Sequence, residues 1–161
     1  MSPISKDMIR ISRQADYGLL LLGCFAKVPE RATFSARELA DQSHAPLPMV
    51  SKVLKLLTRA SLLESTRGAH GGYRLTRPPE SVTVGEIIVA CDGPISVTEC
   101  APDEPTTSNC AQEPFCPVAG SWQRLNDAIR DALDRVTLAE MTCPVADPVE
   151  SFSGNEGPAD V

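Results

Sequence analysis

The 161-residue chain has no hydrophobic run approaching the roughly 18 residues that a membrane-spanning helix needs. Its longest leucine run, Leu19–Leu22, is four residues and reads as part of a core helix. Met1 to Arg10 has no apolar stretch of the secretory type, so the expected location is the cytoplasm. There is no Cys-x-x-Cys redox pair, no glycine-rich phosphate loop ahead of a helix, and no internal repeat. Only two histidines occur, His44 and His70, and neither lies near a cysteine. These absences argue against a membrane protein, a nucleotide-binding enzyme and a thiol oxidoreductase, and the length is too short for a large enzyme.

Positive charge is scarce overall, with a net charge of −6, yet it is unevenly spread. Residues 1–77 hold 12 Lys and Arg against 6 Asp and Glu, whereas residues 78–161 hold 3 against 15. A basic front half can bind phosphates while an acidic rear half is expected to keep the whole chain soluble.

In the front half, Ala15, Leu19, Leu22 and Ala26 fall at helical spacing in a helix from about Ile11 to Lys27, stopped by Pro29. Ser35-Ala36-Arg37-Glu38 has the form of a capping box and opens a short helix that buries Leu39 and Ala40. Ser43-His44-Ala45-Pro46 breaks it, and a second helix begins near Leu47 with Pro48 in its first turn. Val50, Val53, Leu54 and Leu57 form one apolar stripe on that helix, and Ser51, Lys52, Lys55 and Arg59 fall mainly off it. Leu62–Ser65 and Tyr73–Leu75 read as strands of a hairpin whose tip, Arg67-Gly68-Ala69-His70-Gly71-Gly72, carries three glycines.

In the rear half, Thr83-Val84-Gly85-Glu86 is a second capping box, opening a helix that ends near Gly93. A helix from about Ser121 to Val136 presents Trp122, Leu125, Ile129, Ala132 and Val136 on one face, and a third box, Thr137–Glu140, opens a last turn. The tail from Thr142 has no Lys or Arg and reads as disordered.

The order helix, break, helix, glycine-tipped hairpin describes a winged helix-turn-helix. Its second helix needs a polar, basic outer face to lie in the major groove. Its wing needs a cation on a backbone that can approach a groove closely, and Arg67 suits a narrow minor groove. Taken singly, the cations also suit an ordinary solvated helix face, and both histidines suit ordinary surface positions.

Cys100, Cys110 and Cys116 are spaced Cys-x9-Cys-x5-Cys in a proline-containing loop. Thiolates are soft, electron-rich ligands suited to Fe–S clusters. The spacing alone leaves open a cluster, a zinc site, a thiol switch and no site at all. Cys24, Cys91 and Cys143 read as structural.

The segment Ser35 to Leu57, the wing string Arg67 to Leu75, the stretch Val82 to Ile88 and the three loop cysteines together resemble the winged-helix Fe–S transcription regulator family typified by IscR and NsrR. The resemblance covers about residues 8–141, and Trp122–Leu125 and Val136–Met141 bring it nearest to regulators of SUF-type cluster assembly. It implies a mainly α fold: a winged helix-turn-helix with a small β-hairpin wing, a long dimerisation helix and an irregular cysteine loop. Residues 8–79 would bind DNA, residues 80–141 would form the linker helix, cluster loop and dimerisation helix, and residues 142–161 an acidic tail. Pro48, Ser51, Lys52, Lys55 and Arg59 on the helix and Arg67, His70 and Tyr73 on the wing are the candidate DNA contacts.

The resemblance also implies that Cys100, Cys110 and Cys116 hold an iron–sulfur cluster, [2Fe–2S] or [4Fe–4S]. Some members complete it with a His after the third cysteine, but Pro117-Val118-Ala119-Gly120 has none. Others use an N-terminal carboxylate of the opposite subunit, a position that falls on Asp16; Glu99 and Glu113 are weaker alternatives. The implied protein is a non-enzymatic homodimeric repressor of double-stranded DNA operators that takes no small-molecule substrate. Its rivals are a nitric oxide or redox sensor of the same family and a zinc- or thiol-based module.

Overall fold

The computed structural model describes residues 11–28, 32–68, 71–97 and 113–143. Along the chain run α1 (Arg13–Ala26), α2 (Ala36–Ser43), α3 (Leu47–Arg59), β1 (Leu63–Thr66), β2 (Gly72–Leu75), α4 (Val84–Asp92), α5 (Ala119–Asp134) and α6 (Leu138–Thr142). Short 3-10 turns cover Pro79–Ser81 and Glu113–Phe115. Pro29, Ala69, His70, Cys100, Cys110 and the tail from Pro144 lie outside the described residues.

All three capping boxes read from the sequence form. The Ser35, Thr83 and Thr137 hydroxyls accept the backbone N–H of Glu38, Glu86 and Glu140, and each glutamate accepts the N–H of its cap in return. The Ser35 N–H, then its hydroxyl, hold the Glu38 carboxyl below the usual range, and Thr137 does the same to Glu140. Partial burial pulls Glu86 upward, but the Thr83 N–H and the Arg77 guanidinium outweigh it.

Helix α1 starts at Arg13 rather than near Ile11, because Ser12 is spent as its cap. The Ser12 hydroxyl accepts from the N–H groups of Gln14 and Ala15, both at 3.1 Å, and donates to Asp92 Oδ1 at 2.5 Å. Gln14 Nε2 donates to the Cys91 carbonyl. The start of α1 is thereby tied to the end of α4. Between them the packing is close: a Cβ on Gly18 would lie 2.8 Å from Cys91 Sγ.

The core draws Leu21 and Leu22 from α1, Leu39 from α2, Val50, Val53, Leu54 and Leu57 from α3, Leu63 from β1, Ile87 from α4 and Leu138 from α6. One apolar cluster therefore takes side chains from both sides of Pro79. Val84 N–H donates to the Val136 carbonyl at 2.9 Å, and Leu138 N–H to the Val82 carbonyl at 2.8 Å, an antiparallel bridge centred on Thr83 and Thr137. This bridge draws Val136 out of the preceding helix. Helix α5 runs from Ala119 to Asp134, two residues earlier at each end than its pattern suggests, and Val136 is not on its face.

The strands also sit one residue off the sequence reading at their starts. Leu62 N–H closes the end of α3 on the Leu57 carbonyl at 3.0 Å, with Ser61 at φ 60°, so β1 begins at Leu63. Such a left-handed residue past a helix end satisfies a last-turn carbonyl.

Candidate nucleic-acid interface and cysteine segment

Successive residues turn by about 100° around an α-helix, so Pro48, Ser51, Lys52, Lys55 and Arg59 share an arc roughly 100° wide. All five are exposed. On the opposite side Val50, Val53, Leu54 and Leu57 are fully buried. The stripe that seats α3 therefore also aims its cations outward. Unlike α1, α2 and α4, α3 begins without a side-chain cap, on Pro46. An uncapped helix start with no acid in its first turn suits a phosphate.

Two further cations are already engaged. Arg74 Nε pairs with Glu64 at 2.6 Å directly across the hairpin, and Arg77 Nη2 pairs with Glu86 at 2.7 Å. By contrast Lys52, Lys55, Arg59 and Arg67 have no ion pair among the described residues. The structure thus separates cations that hold the fold together from cations that remain available to a polyanion.

The wing is a two-stranded antiparallel hairpin in which Leu63, Glu64, Ser65 and Thr66 face Leu75, Arg74, Tyr73 and Gly72. Arg67 and Gly68 are exposed at its tip, and Gly68 has φ +118° with open space around it. Gly71 and Gly72 are required sterically. A Cβ on Gly71 would lie 2.3 Å from the Thr66 carbonyl oxygen, and one on Gly72 would lie 2.7 Å from that of Phe34. Tyr73 exchanges both backbone bonds with Phe34, at 2.8 and 3.0 Å, adding an isolated bridge to the hairpin. Its side chain is half-buried against the core, so Tyr73 anchors the wing. The Phe34 ring meets Phe25 edge-on at 5.2 Å, which ties the wing to α1. Nothing in the local sequence marks Phe34 as a strand partner, because the pairing spans 39 residues.

Of the proposed metal ligands, Cys116 and Asp16 lie among the described residues. Cys116 is a free, half-buried thiol three residues before α5. Asp16 sits in the first turn of α1, exposed, and its carboxylate has no partner among the described residues. No group of three or more His, Cys, Asp or Glu is gathered among the described residues. Cys116 and Asp16 are both chemically suited to iron, a soft thiolate and a hard carboxylate. Glu113 opens the short turn before Cys116.

The other cysteines behave as packing groups. Burial, with Asp92 adding to it, pushes the Cys91 thiol up to about 11, so it stays protonated against Gly18. Burial also raises the Cys24 thiol against the opposing pull of Lys27. Cys143 is exposed at the end of α6. His44 is the left-handed residue that closes α2, at φ 53°. The residue that sequence reasoning overlooked is Asn126, a fully buried amide on α5 whose Oδ1 accepts the Val97 N–H at 3.2 Å. It lies between Leu125 and Asp127 and gives no signal of its own.

The Rrf2 family model, described as an iron-dependent transcriptional regulator, matches residues 11–144. The transcriptional regulator CymR of Bacillus subtilis is 30% identical over 133 residues, spanning 83% of this chain and 89% of that protein. NsrR of Shouchella clausii is 26% identical over 133 residues, spanning 83% of this chain and 88% of that protein. Among solved structures, that of CymR, described as the global cysteine regulator of B. subtilis, aligns with a TM-score of 0.63 at 31% identity, covering 84% of this chain and 97% of that one. IscR of T. potens aligns with a TM-score of 0.59 at 26% identity, covering 83% and 85%. The winged helix-turn-helix expected from the sequence is thus the fold observed, and the chain belongs to the Rrf2 family of transcriptional regulators.

Proposed function

We infer that this chain is a homodimeric, cytoplasmic DNA-binding regulator that senses an iron–sulfur cluster and represses SUF-type cluster-assembly genes. The observation that carries the DNA-binding part is the cationic arc of α3, without an ion pair among the described residues, set opposite a fully buried stripe and accompanied by Arg67 on the wing. Pro48, Ser51, Lys52, Lys55 and Arg59 would enter the major groove, while Arg67, His70 and Tyr73 would follow the backbone or the adjacent minor groove. Residues 8–79 form the DNA-reading part in this view, and residues 80–141 the sensing and pairing part.

The three loop cysteines, the iron-dependent description of the family and the likeness to NsrR and IscR support the cofactor. Cys100, Cys110 and Cys116 would hold it, with Asp16 from a second copy of the chain at the remaining position. When bound, the cluster supplies iron–sulfur bonds that respond to iron supply, oxidants and nitric oxide.

The protein's own part in the switch is positional. Asp16 rides on α1, whose start is clasped to the end of α4 through Ser12 and Gln14. Both helices share one core with α3. A pull on Asp16, or on the chain leaving α4, therefore acts on the helix that carries Lys52 and Lys55. Two recognition helices spaced for half-sites about one DNA turn apart feel a small change in tilt. A coupling of only about 1–3 kcal/mol suffices to change occupancy.

The test is anaerobic purification, iron and sulfide analysis, visible spectra, and binding of apo and loaded protein to a SUF operon promoter. A brown protein whose operator affinity depends on the cluster supports the reading. A protein without iron, or one whose three-cysteine-to-alanine variant responds to iron and oxidants unchanged, sinks it. The likeness to NsrR favours a second reading, a nitric oxide or redox sensor with other targets. Release of operator DNA by nitric oxide, with no preference for a SUF promoter, would select it. A colourless protein with bound zinc would select a zinc-stabilised module.

A further inference from the structure

Helices α3 and α4 both feed the core, yet a groove of about 550 Å³ stays open between their C-terminal halves. That volume falls within the range of small-molecule sites, about 300–1,000 Å³. Its walls are mostly apolar: Leu56 and Ala60 come from the end of α3, Leu62 from the approach to β1, and Val89 and Ala90 from α4. Leu56 is half-buried and Val89 is 40% exposed, so apolar surface on both helices goes unmatched here. Cys91 also lines the groove, and its protonated thiol acts as a further apolar wall.

Two charged side chains line the groove, Arg59 and Glu86, and they are not equivalent. Glu86 is committed: Oε1 accepts from Arg77 Nη2 at 2.7 Å, and Oε2 accepts the Thr83 N–H at 2.9 Å. The Arg59 guanidinium has neither an ion pair nor a side-chain hydrogen bond among the described residues. The groove therefore offers one uncommitted cation beside apolar walls. A guanidinium presents paired donors that match the two oxygens of a carboxylate. The walls favour a hydrocarbon body, since each buried methylene adds about 0.8 kcal/mol.

We propose that this groove binds an aliphatic carboxylate, with its chain against Leu56, Val89 and Ala90 and its carboxylate on Arg59. Arg59 also stands on the arc of α3 assigned to DNA, so a carboxylate held there competes with phosphate for one guanidinium. The effect on DNA rests on that reading of Arg59, whereas the site itself does not.

The probe is octanoate, titrated calorimetrically into the full-length protein, with octan-1-ol and acetate as partial mimics. Octanoate should bind at least about ten-fold more tightly than either, because only it carries both chain and charge. Val89→Trp, which fills the groove, should weaken octanoate by at least about ten-fold and keep the parent melting temperature. Arg59→Leu should lose the preference for octanoate over octan-1-ol. Saturating octanoate should weaken binding to duplex DNA at low salt about ten-fold, and DNA should weaken octanoate by the same factor.

No binding of octanoate, or equal binding by parent, Val89→Trp and Arg59→Leu, would overturn the site. Should the variants not fold, methyl spectra of the parent decide: Leu56, Val89 and Ala90 should shift with octanoate, and shifts confined to other residues overturn the site. A groove that takes octanoate only as the sedimenting mass falls to one chain is a surface covered by a second copy, which also overturns it. Octanoate that binds as expected and leaves DNA affinity unchanged sinks the competition at Arg59 and leaves the site standing.

Discussion

Helices α3 and α5 are both amphipathic, yet they end in opposite situations. On α3 the apolar stripe of Val50, Val53, Leu54 and Leu57 is fully buried within the chain, and past the exposed Leu47 the outward face is polar and cationic. On α5 no apolar side chain is fully buried among the described residues: Leu133 packs partly against the core, but Leu125 is 43% exposed and Trp122 and Ile129 are half-covered. A sustained apolar face left open this way marks an association surface. The DNA-reading helix is completed by its own chain, and the long rear helix is completed by something else, in our reading a second copy.

The sharpest way to break this contrast is to hollow the finished side. Leu57→Ala should destabilise the fold by about 2–5 kcal/mol, because the cavity cannot be filled from solvent. Chemical denaturation checks it, and a loss below about 1 kcal/mol would mean that α3 is seated loosely. Next in size is the unfinished side. Leu125→Asp combined with Ile129→Asp should leave the helical content intact but halve the sedimenting mass. An unchanged mass would locate the pairing surface elsewhere.

Smaller again are the outward cations. Lys55→Ala and Arg67→Ala should each reduce the slope of log affinity against log salt by about 1 on DNA, with no change in melting temperature. Arg74→Ala should do the reverse, weakening the hairpin while sparing the salt slope, since its guanidinium is occupied by Glu64. The smallest expected effect is that of a single cap. Ser35→Ala should lower stability by about 1 kcal/mol. The paired glutamates add a pH signature. The Glu38, Glu86 and Glu140 carboxyls are held low in the folded state, so their contribution is complete above the unfolded value of about 4.3 and fades as pH falls through the folded values. Acid unfolding of Ser35→Ala should be shallower in that window than that of the parent.

What the sequence disclosed follows the range of the interactions. Capping boxes span four residues, and all three were legible. The stripe on α3 repeats within one helix, and its bounds were legible too. Strand and helix ends shifted by one or two residues where a distant partner took over a backbone group, as Val84 does with the carbonyl of Val136. Long-range pairings left no local mark: Phe34 with Tyr73, Ser12 with Asp92, and Asn126 with Val97 join residues far apart in sequence. The candidate site divides the same way. The residues proposed to face a groove follow from periodicity, whereas the proposed iron ligands rest on spacing and resemblance, and Cys100 and Cys110 lie outside the described residues.

The two backbone bonds joining Val82 and Val84 to Leu138 and Val136 carry a wider consequence. They fasten the return of the chain to the point where it left the wing, so the stretch between is a cassette closed at its base. Lengthening such an insert is cheap, about 0.6 kcal/mol per doubling of a flexible loop. A lineage could therefore lengthen or rebuild the connection between α4 and α5 while the core shared by α1, α3 and α4 stayed as it was.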